Sequence, residues 1–140
     1  MPIPEHVKKY LPELQRWANR VRGLYGTPVY LVGSALTGSK PNPRDWDIRI
    51  SMPDADFKIR FGDPTQWERE GNTGQWTALR WKWSDECVKQ TKDAWRYTGL
   101  NVDFQIYPAS HVRRLYPKVF PKLRIDTRPR QQPKKRKARR

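Results

Sequence analysis

Apolar positions along this chain recur at two intervals, one of three to four residues and one of two. The first interval appears near the N-terminus, where Val7, Tyr10, Leu11, Leu14, Trp17, Ala18 and Val21 share one helical face. Pro12 interrupts that stripe. Proline suits a first helical turn better than a helix interior, so the spacing predicts a helix from near Pro12 to Gly23 and Gly26. Val29 to Val32 is a short apolar run that reads as a buried strand. From Asp45 to Met52 the interval is two: Trp46, Ile48, Ile50 and Met52 fall on one face, and Asp45, Asp47, Arg49 and Ser51 on the other. Asn101 to Tyr107 repeats the arrangement, with Val102, Phe104 and Ile106 against Asp103, Gln105 and Tyr107.

Between the last two strands the pattern is less uniform. Pro53-Asp54-Ala55 reads as a turn, and the alternation of Phe57, Ile59 and Phe61 with Lys58 and Arg60 predicts a short strand. Asp63-Pro64 predicts the start of a short helix, and Gly71-Asn72-Thr73-Gly74 a loop. Trp76 to Trp83 again alternates, with Arg80 and Lys82 between Leu79, Trp81 and Trp83. That stretch reads as an amphipathic strand pairing with Phe57–Phe61, or as an aromatic and basic surface on which bases stack. Ser84 then caps a helix whose stripe is Cys87, Val88, Thr91, Ala94 and Trp95, and Gly99 ends it. Cys87 falls on that stripe as a core residue rather than a nucleophile. Ser110 to Tyr116 reads as a short helix, and Arg124-Ile125-Asp126 is too isolated to assign. The expected fold class is α/β in the α+β sense: a small mixed sheet with helices packed on one face. Residues 1–120 form the domain and residues 121–140 a disordered basic tail.

Two carboxylates on one strand face repel unless one is protonated or a cation bridges them. Asp45 and Asp47 are such a pair, and hard oxygen ligands suit Mg²⁺ together with substrate phosphates. Two such ions, roughly 3.5–4 Å apart, stabilise the attacking and leaving oxygens of an in-line displacement. Asp103 on a neighbouring strand supplies a third carboxylate, placed to bind one ion and accept a proton. Upstream, Gly33 permits close approach of a phosphate, and Ser34 offers it a hydroxyl and an amide. No Lys-Ser or Lys-Thr follows these residues, so this is not a Walker loop.

Gly33-Ser34, ten intervening residues, Asp45-Trp46-Asp47-Ile48 and the later Val102-Asp103-Phe104 resemble the nucleotidyltransferase superfamily of DNA polymerase beta type, closest to its minimal members. Gly38 matches a glycine common in that loop. The resemblance covers residues from about 10 to about 108. It implies that Asp45 and Asp47 bind two Mg²⁺ or Mn²⁺ ions, that Asp103 completes a catalytic triad, and that Gly33 and Ser34 bind the triphosphate of an NTP. Ala35 stands where many members carry arginine, and Arg44 where many carry serine. Lys40 and Arg44 are the candidates for the missing positive charge at the nucleotide. The third aspartate follows a tryptophan-rich insertion, and no C-terminal helical domain is recognisable.

Charge narrows the partner. The chain carries a net charge of +15 and 36% hydrophobic residues, a balance that points to a polyanion, most often nucleic acid. More than half of that charge lies beyond residue 120. Lys134, Lys135, Arg136, Lys137, Arg139 and Arg140 are expected to bind phosphates without sequence preference, alongside Arg80 and Lys82 in the tryptophan stretch. The same cluster resembles a basic localisation signal, so the expected location is cytoplasmic, or nuclear in a eukaryote. The single cysteine excludes an internal disulfide, and no segment has the length and apolarity of a membrane span. Three functions compete. The first is a metal-dependent transferase moving an NMP from an NTP to a hydroxyl acceptor. The second is a non-catalytic nucleic-acid-binding module on the same scaffold. The third is a protein-interaction component.

Overall fold

The computed structural model describes residues 3–38, 40–67, 74–111 and 121–126, with backbone alone for 74–77. Helix α1 spans Glu5–Tyr25, and its buried face is Val7, Leu14, Trp17, Ala18 and Val21. It runs through Pro12 rather than starting there. The proline nitrogen cannot donate to the Lys8 carbonyl, but Pro12 sits on the exposed side and buried residues anchor the helix before and after it. Packing on both flanks outweighs the local defect. Gly26, in the left-handed conformation, ends the helix by donating to the Arg22 carbonyl.

Strand β1 (Tyr30–Val32) leads into a single helical turn, α2 (Ser34–Thr37). Strand β2 (Trp46–Met52) returns antiparallel to β1, with Leu31 opposite Ile48 and Val32 opposite Asp47. Strand β3 (Val102–Pro108) lies parallel to β2, with Asp47 opposite Asp103 and Ile48 opposite Phe104. The sheet order is β3-β2-β1-β4, with β4 being Leu123–Arg124. Trp46, Ile48, Ile50 and Met52 of β2 are buried, as are Val102, Phe104 and Ile106 of β3, so both strands keep their expected inward faces. α1 covers this face: Trp17 meets Phe104 edge-to-face at 5.7 Å and Tyr10 meets Trp46 at 5.7 Å. The mixed α+β architecture is therefore the expected one.

Besides the start of α1, the structure differs from expectation in three places. Asp54–Phe61 is a helix, α3, not a turn and a strand. Phe57 and Phe61 are four apart and both buried, with rings 5.1 Å apart, whereas Ile59 is 83% exposed. A strand would have put all three on one face, and the core takes only the helical pair. After the short α4 (Pro64–Trp67), begun by Asp63 capping the Thr65 amide, Gly74–Thr98 forms one long helix, α5. It absorbs both the tryptophan stretch and Ser84, which therefore caps nothing. Its buried side is Cys87, Gln90 and Ala94, while Val88 and Trp95 face out.

α5 lies along the free edge of β3. Trp83 Nε1 donates to the Ile106 carbonyl at 2.8 Å, and the Phe104 amide donates to Thr91 Oγ1 at 3.1 Å. Side chains thus cap an edge that would otherwise present open backbone groups. Burial pushes the Cys87 thiol up to about 12, so it stays protonated and packs as a core residue.

The third difference is at the other edge. Leu123–Arg124 forms β4, antiparallel to β1, and Ile125 and Asp126 are buried behind it. The folded part thus reaches Asp126, past the boundary expected at residue 120. Ala109 to His111 are helical, and a helix is expected over Ser110 to Tyr116. The remainder of that segment and the basic cluster from Lys134 to Arg140 lie outside the described residues.

Candidate active site

Helices cover one face of the sheet, and a cleft of about 410 Å³ opens on the other. Its walls include Gly33, Ser34, Thr37, Asp47, Arg49 and Asp103. The period-two pattern of β2 and β3 delivers the polar residues there, because the apolar alternates are held in the core. The parallel register then sets Asp47 directly beside Asp103.

Gly33 joins β1 to α2 with φ 76°, in the left-handed region. A Cβ at this position would stand 2.4 Å from Asp47 Oδ2. Glycine is therefore required twice, once for the backbone angle and once for the carboxylate against it. The Gly33 carbonyl accepts from the amides of Leu36 and Thr37 and from Thr37 Oγ1, which fixes the turn. His6 Nε2 pairs with the Ala35 carbonyl at 2.6 Å and ties α2 to α1. Gly38 donates to the Ser34 carbonyl at 2.7 Å. A Cβ at Gly38 would lie 2.6 Å from that oxygen, so the loop glycine is held there by close packing.

The carboxylates differ in their partners. Asp103 Oδ1 accepts from Gln105 Nε2 at 2.8 Å. Asp45 stands one residue before β2 and accepts from Asn101 Nδ2 at 2.9 Å; it does not line the cleft. Asp47 is half-buried, and its carboxyl is held above the usual carboxylate range by burial first, then by the charges of Asp103 and Asp45. Asp103 and Asp45 are thus each close enough to act on Asp47. Even so, among the described residues no three His, Cys, Asp or Glu side chains converge into a preformed ion cage. The donor set consists of hard oxygens with unrelieved like charge at Asp47. That chemistry suits a divalent cation held by Asp47 and Asp103, with Asp45 at the rim.

The expected positive charges do not join them. Lys40 and Arg44 are exposed in the loop before β2 and do not line the cleft. Arg49 does, together with Gln105 and Tyr107. All three sit on the polar alternates that carry Asp47 and Asp103, so the period of two already pointed to them. Arg80 and Lys82 are exposed on α5, away from the cleft lining. No family model, curated protein or solved structure matches the chain. Among the described residues no helix is long and apolar enough to cross a membrane.

Proposed function

We propose that the chain is a metal-dependent nucleotidyltransferase that moves an NMP from an NTP to a hydroxyl acceptor. The reading rests above all on Asp47 and Asp103, side by side on parallel strands and facing the Gly33–Ser34 turn. The triphosphate would sit against that turn, where Gly33 and Ser34 are exposed. Asp47 and Asp103, with Asp45, would hold divalent ions, which when bound neutralise charge on the phosphates. Arg49 would add a fixed cation at the same wall. Asp103 would take the proton of the acceptor hydroxyl as its oxygen bonds to the α-phosphorus. The bond from that phosphorus to the β-phosphate oxygen breaks, and pyrophosphate leaves. Positioning and charge neutralisation carry such a reaction. The net charge of +15 favours nucleic acid as acceptor.

The test is pyrophosphate release by the full chain with Mg²⁺ and each of the four NTPs. Asp47→Asn and Asp103→Asn should each lower turnover by roughly 100-fold or more, as expected for a group that acts on transition-state charge. Turnover unchanged in both would remove the assignment.

A second reading has its own support. Asp45 is tied to Asn101 outside the cleft, and among the described residues no three-carboxylate cage is preformed. This favours a non-catalytic scaffold that binds nucleic acid or protein. Salt-sensitive nucleic-acid binding indifferent to Asp47→Asn, with no turnover by the wild type, would select it.

A further inference from the structure

Helix α5 carries two lines of side chains that the cleft does not use. Trp81, Val88 and Trp95 are 65%, 46% and 60% exposed, at intervals of seven residues. Lys82, Lys89 and Arg96 repeat at the same interval, one residue further on, and all three are exposed. Seven residues make about two turns, so each set forms a line along the helix with members about 10.5 Å apart. One residue is a rotation of about 100°, so the cationic line runs beside the apolar one. The buried side of the helix, Cys87, Gln90 and Ala94, lies elsewhere. Arg96 keeps its side chain 76% exposed, with Asp93 4.0 Å away, and Asp93 is itself held by Arg20 at 3.1 Å.

We propose that this face of α5 binds single-stranded nucleic acid, with bases stacked on Trp81 and Trp95 and phosphates along Lys82, Lys89 and Arg96. An aromatic row beside a cationic row is the arrangement that tracks a single strand. A duplex hides its base faces in its own stack, so exposed indoles favour unpaired bases. The charge argues against a second copy of the chain: Lys82, Lys89, Lys92 and Arg96 would meet their own equivalents, and among the described residues of that face Asp85 is exposed to oppose them while Asp93 is already paired with Arg20. It argues against a lipid surface too, because Asp85 stands one turn from both Trp81 and Val88 and would be drawn into the apolar layer. The helical placement also revises which residues belong together. Arg80 falls on the opposite flank of Trp81 from Lys82, outside the cationic line. This site is separate from the cleft and stands whether or not the cleft is catalytic.

The full chain is titrated into a labelled single strand of about 15 nucleotides and into the matching duplex, at several salt concentrations. Trp81→Ala with Trp95→Ala should weaken single-strand binding roughly tenfold or more, with the salt slope kept. Trp81→Phe with Trp95→Phe should retain most of the affinity. Replacing Lys82, Lys89 and Arg96 by alanine should reduce the salt slope by about 2. Ile59→Ala, exposed on α3, should change nothing. Should the alanine pair fail to fold, the phenylalanine pair and the cation triple still read the two lines separately. Unchanged affinity in the alanine pair overturns the proposal, and so does equal weakening on the duplex. It is also overturned if the tryptophan variants dissociate a wild-type dimer, or lose binding to phosphatidylserine vesicles, while their nucleic-acid affinity is intact.

Discussion

Asp47 and Asp126 flank the same short strand, and the fold treats them in opposite ways. Asp126 is fully buried, which alone would raise its carboxyl. Hydrogen bonds from Arg124 at 2.9 Å and from the Val29 amide at 2.9 Å outweigh that burial and hold it below the usual range. Arg22 adds its charge at 3.6 Å. Asp47 is only half-buried, yet its carboxyl is raised, because burial and the charges of Asp103 and Asp45 act in one direction. One carboxylate is finished by its own chain and locks β4 to β1. The other is left with a deficit of positive charge beside a glycine turn. A group whose ionisation the protein itself opposes is a candidate for a role that an external ligand completes.

The largest test of that contrast is Asp126→Ala. It strips the counter-charge from Arg124 and Arg22 and the acceptor from Val29, and removing one partner of a buried pair costs about 3–5 kcal/mol. Urea unfolding should show a lower midpoint at unchanged slope. A loss below about 1 kcal/mol would reduce the network to an ordinary surface ion pair. The pH dependence has a definite sign. Because the folded pKa of Asp126 is lowered, its contribution is complete above about 3.9 and disappears as pH falls through the lower folded value. Asp126→Ala should therefore remove part of the acid lability below about pH 4.

Gly33→Ala comes next. The new methyl meets the Asp47 carboxylate in a backbone conformation that side chains rarely adopt. Strain of this kind costs about 1–3 kcal/mol, measurable by the same denaturation. An unaffected midpoint would mean that the turn relaxes and does not hold Asp47 tightly.

Asp47→Asn should have the smallest effect on stability, and of opposite sign to Asp126→Ala. A raised folded pKa means that the ionised group opposes folding at neutral pH, and that the opposition fades as pH falls toward about 3.9. Without divalent ions the variant should melt a few degrees higher at neutral pH and gain less on mild acidification. Millimolar Mg²⁺ should raise the wild-type melting temperature and leave Asp47→Asn unmoved, since only a native-state ligand stabilises. A wild type indifferent to Mg²⁺, or a variant that melts lower without it, would place Asp47 among structural residues.

How far the chain alone disclosed these features depended on the range of the interaction. The inward faces of β2 and β3, and with them the carboxylates and Arg49, Gln105 and Tyr107, follow from an alternation sustained over seven residues in each strand. The stripe of α1 and the glycine after β1 are equally local signals. Phe57, Ile59 and Phe61 misled because short apolar patterns suit either period, and the core's demand for the pair four apart settled the matter. Trp81 and Trp83 alternated like strand residues for the same reason. Only the packed helix sends Trp83 to the edge of β3 and Trp81 to solvent. Arg124-Ile125-Asp126 carried no signal, because its meaning lies in partners nearly a hundred residues earlier. Periodicity determines which side of an element is apolar. The register that sets Asp47 beside Asp103, leaves Asp45 at the rim and seals Asp126 between two arginines arises only when distant segments compete for the same burial.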